Sequence, residues 1–277
     1  MEIPLSELRP FKDHPFKVLD DERMLDTVES VKQYGVLSPA LARPHPEGGY
    51  ELVSGHRRHR AAELAGLDTL PTIVRNLDDD EATIIMVDSN LQRETVLPSE
   101  RAWAYRMKLE AMRHQGARTD LTSSQVGMKL QALDIVGQQA GDSRNQVHRY
   151  IRLTELIRPL LDMVDERKIA FNPAVELSYL KPDEQTMLLD AMESEQATPS
   201  LSQAQRLKKF SQAGNLTRES MLAIMSEEKK SDLDRLTFTT DTLRKYFPKS
   251  YTPQQMESTI LKLLETWARK RQKEQER

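Results

Sequence analysis

Strand patterning stops at Pro98. Before it, short apolar runs bounded by glycine and proline alternate with helical stripes. After it, apolar residues recur only at helical spacing. Glycine is also scarce, 10 of 277 residues, which argues against an all-β chain rich in turns. The expected architecture is an α+β unit over residues 1–96, an all-α unit over 97–198 and a helical C-terminal region over 199–277. Thr198-Pro199-Ser200 marks the second boundary.

In the first unit, Ile3-Pro4-Leu5 reads as an edge strand followed by a short turn. Asp20 or Asp21 caps a helix to about Tyr34, with Met24, Leu25, Val28 and Val31 as its stripe and Gly35 as its stop. Val36 to Arg43 reads as a strand interrupted by Pro39, Tyr50 to Val53 as its return, and Leu70 to Val74 as another strand. Asp78-Asp79-Asp80-Glu81 opens a helix, since acids suit the positive end of its dipole, and this helix ends near Asn90–Glu94. Ser99 starts a helix through about His114 with Trp103, Met107 and Leu109 as apolar positions, and residues 116–124 form a polar connector. Short helices are expected over 124–131, 133–140, 143–153, 155–167, 172–180 and 183–193. Two more lie within 201–230, then a polar hinge at 231–235. The final helix runs from about Pro253 to Arg277. Its Ile260, Leu261, Leu264 and Trp267 are expected to pack on the chain's own core rather than on a partner.

The absence of cysteine excludes disulfides, thiolate metal sites and cysteine nucleophiles. With a formal net charge of −3, any nucleic-acid contact must use local basic patches. No run of about 18 apolar residues is present, so no membrane span is expected. The N-terminus has no apolar signal region, so a cytoplasmic location is expected.

Three stretches carry candidate chemistry. The first, Ser54-Gly55-His56-Arg57-Arg58-His59-Arg60-Ala61, follows a strand and opens a helix that Gly66 ends. Glycine lets a backbone approach a ligand, free helix N–H groups attract anions, and arginines add bidentate phosphate contacts. Phosphate binding and a solvated basic helix both fit these residues. The second, Asn90-Leu91-Gln92-Arg93-Glu94, offers an arginine for phosphate, and Asn90 or Glu94 for a magnesium ion. As an isolated stretch it also reads as a solvated helix end.

The third stretch, about 134–150, has the spacing of a helix-turn-helix. Gly137 lies where two helices approach, Gly141 falls in the turn, Ser143 caps the second helix and Val147 points to the core. Its exposed face would carry Ser143, Arg144, Asn145, Gln146, His148 and Arg149, which can read base edges or hold phosphates, and Arg152 would reach the DNA backbone. A plain helical hairpin is the alternative.

Taken in order, Leu5-Ser6-Glu7-Leu8-Arg9-Pro10, Gly35-Val36-Leu37-Ser38-Pro39, Gly55 to Ala61, Asn90 to Glu94 and the helix-turn-helix resemble the ParB/RepB/Noc partition-protein family over roughly the first 190 residues. The resemblance implies an N-terminal domain that binds CTP with Mg2+. It also implies a central domain that recognises a palindromic double-stranded DNA site, and a homodimer that closes into a clamp on DNA. By that resemblance Gly55, His56, Arg57, Arg58 and Arg60 embrace the phosphates. Asn90 and Arg93 complete the site with Gln92 and Glu94 beside it, and Gly35 to Pro39 holds the cytosine end. His56 stands where the family's usual motif has glutamate, which implies binding rather than hydrolysis and leaves a CTPase activity open. The chain lacks the basic N-terminal tail through which many members engage a ParA-type ATPase. The implied role is a nucleoid- or plasmid-associated partition protein of a plasmid or mobile element. Rival functions are a ligand-sensing transcriptional regulator, and a nucleotide-dependent phosphotransfer enzyme or nuclease in which His56 and His59 act as acid or base.

Overall fold

Five short strands, β1 (Glu2–Pro4), β2 (Leu8–Pro10), β3 (Ala40–Pro44), β4 (Tyr50–Ser54) and β5 (Thr69–Val74), form one mixed sheet in the computed structural model, in the order β1-β5-β3-β4-β2. The pairings β1–β5 and β3–β4 are antiparallel, and β3–β5 and β2–β4 are parallel. The structure describes residues 1–93, 95–119, 125–227, 243, 245–248 and 250–275. They fall into two compact units, residues 1–227 and 228–277.

Alternation along β4 places its neighbours in different cores. Leu52 packs with Ala40, Ala42, Leu70 and Ala62 of helix α2 (His56–Ala65), while Val53 packs with Phe11, Phe16 and Met86 of α3 (Asp79–Leu91). Helix α1 (Glu22–Tyr34) lies on α2 through Met24, Val28, Val31 and Ala61. As expected, Asp21 caps α1 by accepting from the Met24 N–H at 2.9 Å, and Gly35 ends it with φ +70. Asp78 and Glu81 form a capping box at the start of α3.

Two expectations change in this region. Leu8–Pro10 is a strand, not part of a turn, because its hydrogen bonds go to β4 some forty residues away. The strand expected from Val36 starts only at Ala40, after Pro39, a residue without an N–H to donate.

Helix α4 (Pro98–Thr119) joins the sheet layer to the helices that follow. Glu100, buried in its first turn, accepts from the Leu97 N–H at 3.0 Å and from the Lys17 N–H at 2.7 Å. Tyr105 and Lys108 of α4 are fully buried, and the Lys108 ammonium is paired with Asp88 of α3 and with Gln139. Trp103, read as one of the apolar positions of this helix, is 39% exposed with the Arg106 guanidinium 5.5 Å over its ring. α4 also extends past His114 into the expected connector. Residues 120–124 of that connector, the hinge at 231–235 and Glu94 lie outside the described residues.

The helices that follow are α5 (Gln125–Ala140), α6 (Arg144–Arg152), α7 (Arg158–Asp165), α8 (Phe171–Leu177), α9 (Pro182–Glu195), α10 (Leu201–Gln212) and α11 (Arg218–Met225). α5 is one helix where two were expected, since Gln131-Ala132-Leu133 are good helix formers with no breaker among them. A single apolar core runs through α7 to α11, including Leu160, Leu177, Leu188, Leu207 and Met221. In the second unit α12 (Pro253–Gln275) leaves Leu261, Leu264 and Trp267 more than half exposed, against the expectation that they would be buried in a core. Among the described residues no helix is long and apolar enough to cross a membrane.

Candidate functional site

The turn from β4 into α2 depends on Gly55. Its φ is +106, and a Cβ there would lie 3.0 Å from Ala40 Cβ and 3.3 Å from Ala40 Cα. The backbone therefore crosses β3 at close range and delivers the first turn of α2, whose N–H groups have no acceptor within the helix. This is the cradle expected for an anion.

The arginines around it are engaged with protein groups. Arg58 donates to the carbonyl oxygens of Ser38 at 2.7 Å and Pro39 at 2.5 Å, so it links α2 to the Gly35–Pro39 segment. Arg57 donates to Asp21 at 3.3 Å. Arg60 forms a bidentate pair with Asp20, at 3.1 and 2.6 Å, and also donates to Glu63 at 3.3 Å. The hydrogen bonds from Arg60 hold the Asp20 carboxyl below its ordinary pKa. Arg93 lies 5.5 Å over the Phe16 ring. Burial lowers the pKa of both Arg58 and Arg93, and the nearby Arg57 charge adds to the effect at Arg93. An incoming anion would relieve both costs.

His14 and Phe16, which sequence reading missed, complete the site. The rings of His14 and His56 stack at 3.9 Å, and His14 Nδ1 donates to the Phe16 carbonyl at 2.8 Å. Among the described residues that leaves His14 Nε2, a buried atom, without a hydrogen-bond partner, and His59 Nε2 is in the same condition. The available signal was a His-Pro-Phe loop in a chain poor in aromatics. Asp20 and Asp21 were read only as caps, although they also neutralise arginines of the cradle.

His56 is 9% exposed and its Nε2 accepts from the Phe11 N–H at 3.5 Å. Burial, then the charges of His14, Arg93 and His59, pushes its pKa down to about 3. It is neutral at pH 7 and too weakly basic for the acid or base role that the enzyme reading requires. The unfolded chain takes up a proton below its ordinary value of 6.5 that the native chain refuses until about 3, so stability falls as pH drops through that window. From pH 7 to 5 this residue alone is expected to cost about 2 kcal/mol. His14, also lowered mainly by burial, acts in the same direction. The variant His56→Gln keeps an acceptor for Phe11 and should flatten the acid slope. Urea midpoints at both pH values measure this, and an unchanged slope would argue against a neutral buried imidazole.

Of the second stretch, Asn90 is buried and donates to the Met86 carbonyl at 2.8 Å, Gln92 is exposed, and Arg93 joins the site. Glu94, one of the two residues read as magnesium donors, lies outside the described residues. Among the described residues no three His, Asp or Glu side chains converge, and Asp20 and Asp21 are occupied by arginines. The remaining groups do fit a phosphate chain. They are a cradle that a Cβ would fill, arginines around it and, among the described residues, two buried imidazole nitrogens without a hydrogen-bond partner.

Three local features expected at the α5–α6 turn are present. Gly141 turns with φ +73, the Ser143 hydroxyl accepts from the Gln146 N–H at 3.2 Å, and Val147 is fully buried. Asn145 and His148 are exposed and Gln146 is partly so. Arg144 pairs with Asp134, Arg149 reaches Asn172, and Arg152 turns inward to Ser178.

Residues 1–91 match the family described as the ParB N-terminal domain. Those residues are a ParB N-terminal domain. The chain is 36% identical over 180 residues to stage 0 sporulation protein J of Bacillus subtilis, covering 65% of this chain and 57% of that protein. Against the chromosome-partitioning protein of Thermus thermophilus it is 33% identical over 182 residues, covering 66% of this chain and 61% of that one. The chain thus spans about three fifths of the length of the curated ParB relatives it matches. A truncated ParB from Caulobacter crescentus complexed with CTP-γ-S shares 30% identity, with a TM-score of 0.32 over 64% of this chain and 91% of that one.

Proposed function

We propose that this chain is a DNA-binding partition protein whose N-terminal domain binds CTP. The observation that carries the reading is the convergence of the Gly55 turn, Arg57, Arg58 and the Nε2 atoms of His14 and His59 within the segment that matches the family, with Arg93 just beyond its end. When bound, CTP supplies a triphosphate whose charge these groups neutralise. Arg57 and Arg60 exchange Asp21 and Asp20 for phosphate oxygens, and Arg58 keeps the Ser38–Pro39 segment beside the cradle for the base. His56 supplies no carboxylate and is a weak base, so the domain binds the nucleotide without turning it over rapidly.

The α5–α6 pair is read as a helix-turn-helix, with Ser143 to Arg149 toward a palindromic duplex and a homodimer matching its symmetry. Bound nucleotide gates closure of the dimer into a clamp. Calorimetric titration with CTP, ATP, GTP and UTP tests the nucleotide part, and CTP alone is expected to bind. Equal affinity for all four, or none, would remove CTP from the reading. Footprinting on a duplex that the protein selects from a random library tests the clamp. Protection should extend beyond the selected site only with CTP, and confined protection in both conditions would favour the transcriptional regulator.

A further inference from the structure

Helix α6 carries three arginines with different surroundings. Arg144 is held by the Asp134 carboxylate, Nε to Oδ1 at 2.7 Å with a second bond from Nη2. Arg152 donates to the Ser178 carbonyl and lies 4.1 Å over the Tyr179 ring, turned toward the end of α8. Arg149 differs from Arg144 in lacking a carboxylate partner among the described residues. Among the described residues its partners are neutral, the Phe171 ring at 5.1 Å and Oδ1 of Asn172. Its charge is uncompensated while its side chain is held.

We infer that Phe171 and Asn172 are positioning residues that hold Arg149 for DNA. The inference rests on the helix-turn-helix reading above. Phe171 packs against Tyr150 with their rings tilted and 4.7 Å apart, and Tyr150 meets Tyr105 edge-on at 5.8 Å. Tyr105 is fully buried and donates to Asp142 in the turn at 2.5 Å. The support of Arg149 is thus continuous with the core and with the turn that sets α6. Because a guanidinium only donates, Asn172 must present its oxygen to it, which fixes the amide orientation. A long side chain fixed before binding loses less freedom on binding, and a planar fork kept in place favours bidentate contacts. A stacked surface arginine of no consequence would show the same static contacts, so the discriminating quantity is coupling between the residues.

The test uses the full chain, a duplex it selects from a random-sequence library and a scrambled duplex of equal composition. Anisotropy titrations give both affinities, and thermal midpoints report folding. Asn172→Ala and Phe171→Leu are each expected to weaken selected-duplex binding roughly three- to ten-fold and to leave scrambled-duplex binding unchanged. Arg149→Ala should weaken it at least as much. In the Arg149→Ala background Asn172→Ala should add less than about two-fold. Asn172→Ser, which retains an acceptor, should recover part of the loss. Full additivity of the two alanine variants, or unchanged binding by Asn172→Ala, overturns the positioning role while leaving the DNA-binding reading standing. Normal binding by Arg149→Ala overturns this inference alone, and selection of no duplex overturns that reading and this inference together.

Discussion

Gly137→Ala is expected to destabilise the first unit by about 1–3 kcal/mol, the usual cost of forcing an extra carbon into a packed position. The direction is informative because propensity alone predicts the opposite. Inside a helix, alanine is favoured over glycine by about 1 kcal/mol. At this position a Cβ would lie 2.5 Å from the backbone carbonyl oxygen of Asp142 and 3.4 Å from Val147 Cγ2. The first neighbour is main chain, so no side-chain rotation relieves the contact. The Asp142 N–H also donates to the Gly137 carbonyl at 2.9 Å, which closes the turn onto α5 at this residue.

Asp142 cannot move away without further loss, because its carboxylate accepts from the Tyr105 hydroxyl at 2.5 Å and from Arg101 at 3.3 Å. The shift would therefore pass into α6 and weaken duplex binding as well as stability. Urea unfolding measures the first effect and anisotropy the second. Gly141→Ala is the companion variant. It has φ +73 but open space around its Cβ, so it should cost about 1 kcal/mol through backbone strain alone. A Gly137→Ala protein more stable than the parent would mean that α5 and the turn do not approach so closely.

Local features were legible in the sequence and long-range pairings were not. Gly137, Gly141, Ser143 and Val147 lie within eleven consecutive residues and obey capping and turn rules that depend on near neighbours. Gly55 and Gly66 bounding α2, and Asp21 and Gly35 bounding α1, were legible for the same reason. Leu8–Pro10 was missed because a three-residue strand has no period of its own and exists only through β4. The arginines of α2 were legible as a basic cluster at a helix start. Their partners Asp20 and Asp21 came from another element, and no pattern in the sequence reports such a pairing. The apolar residues of α12 misled in the opposite direction, since large apolar side chains at helical spacing do not report whether a neighbour covers them.

Gly55→Ala is expected to lower nucleotide affinity by about tenfold or more, equivalent to about 1.4 kcal/mol or more of binding. Two effects add there. A φ of +106 lies outside the range that L side chains adopt readily, and the new Cβ would meet both Cβ and Cα of Ala40. The central position of β3 in the sheet leaves Ala40 little freedom to retreat, so the turn itself must shift. That shift carries the first turn of α2 with it, and with it Arg57 and Arg58. Arg58 Cζ also lies only 3.4 Å from the added carbon, so its bonds to Ser38 and Pro39 would be strained. Gly66→Ala separates strain from site geometry. It sits at the other end of the same helix with φ +77 and nothing within 4 Å of its Cβ. It should lose about 1 kcal/mol of stability and keep its nucleotide affinity. CTP titration and urea unfolding of both variants decide the matter. If Gly55→Ala binds CTP as tightly as Gly66→Ala, the cradle is a structural turn and the nucleotide, if bound, sits elsewhere.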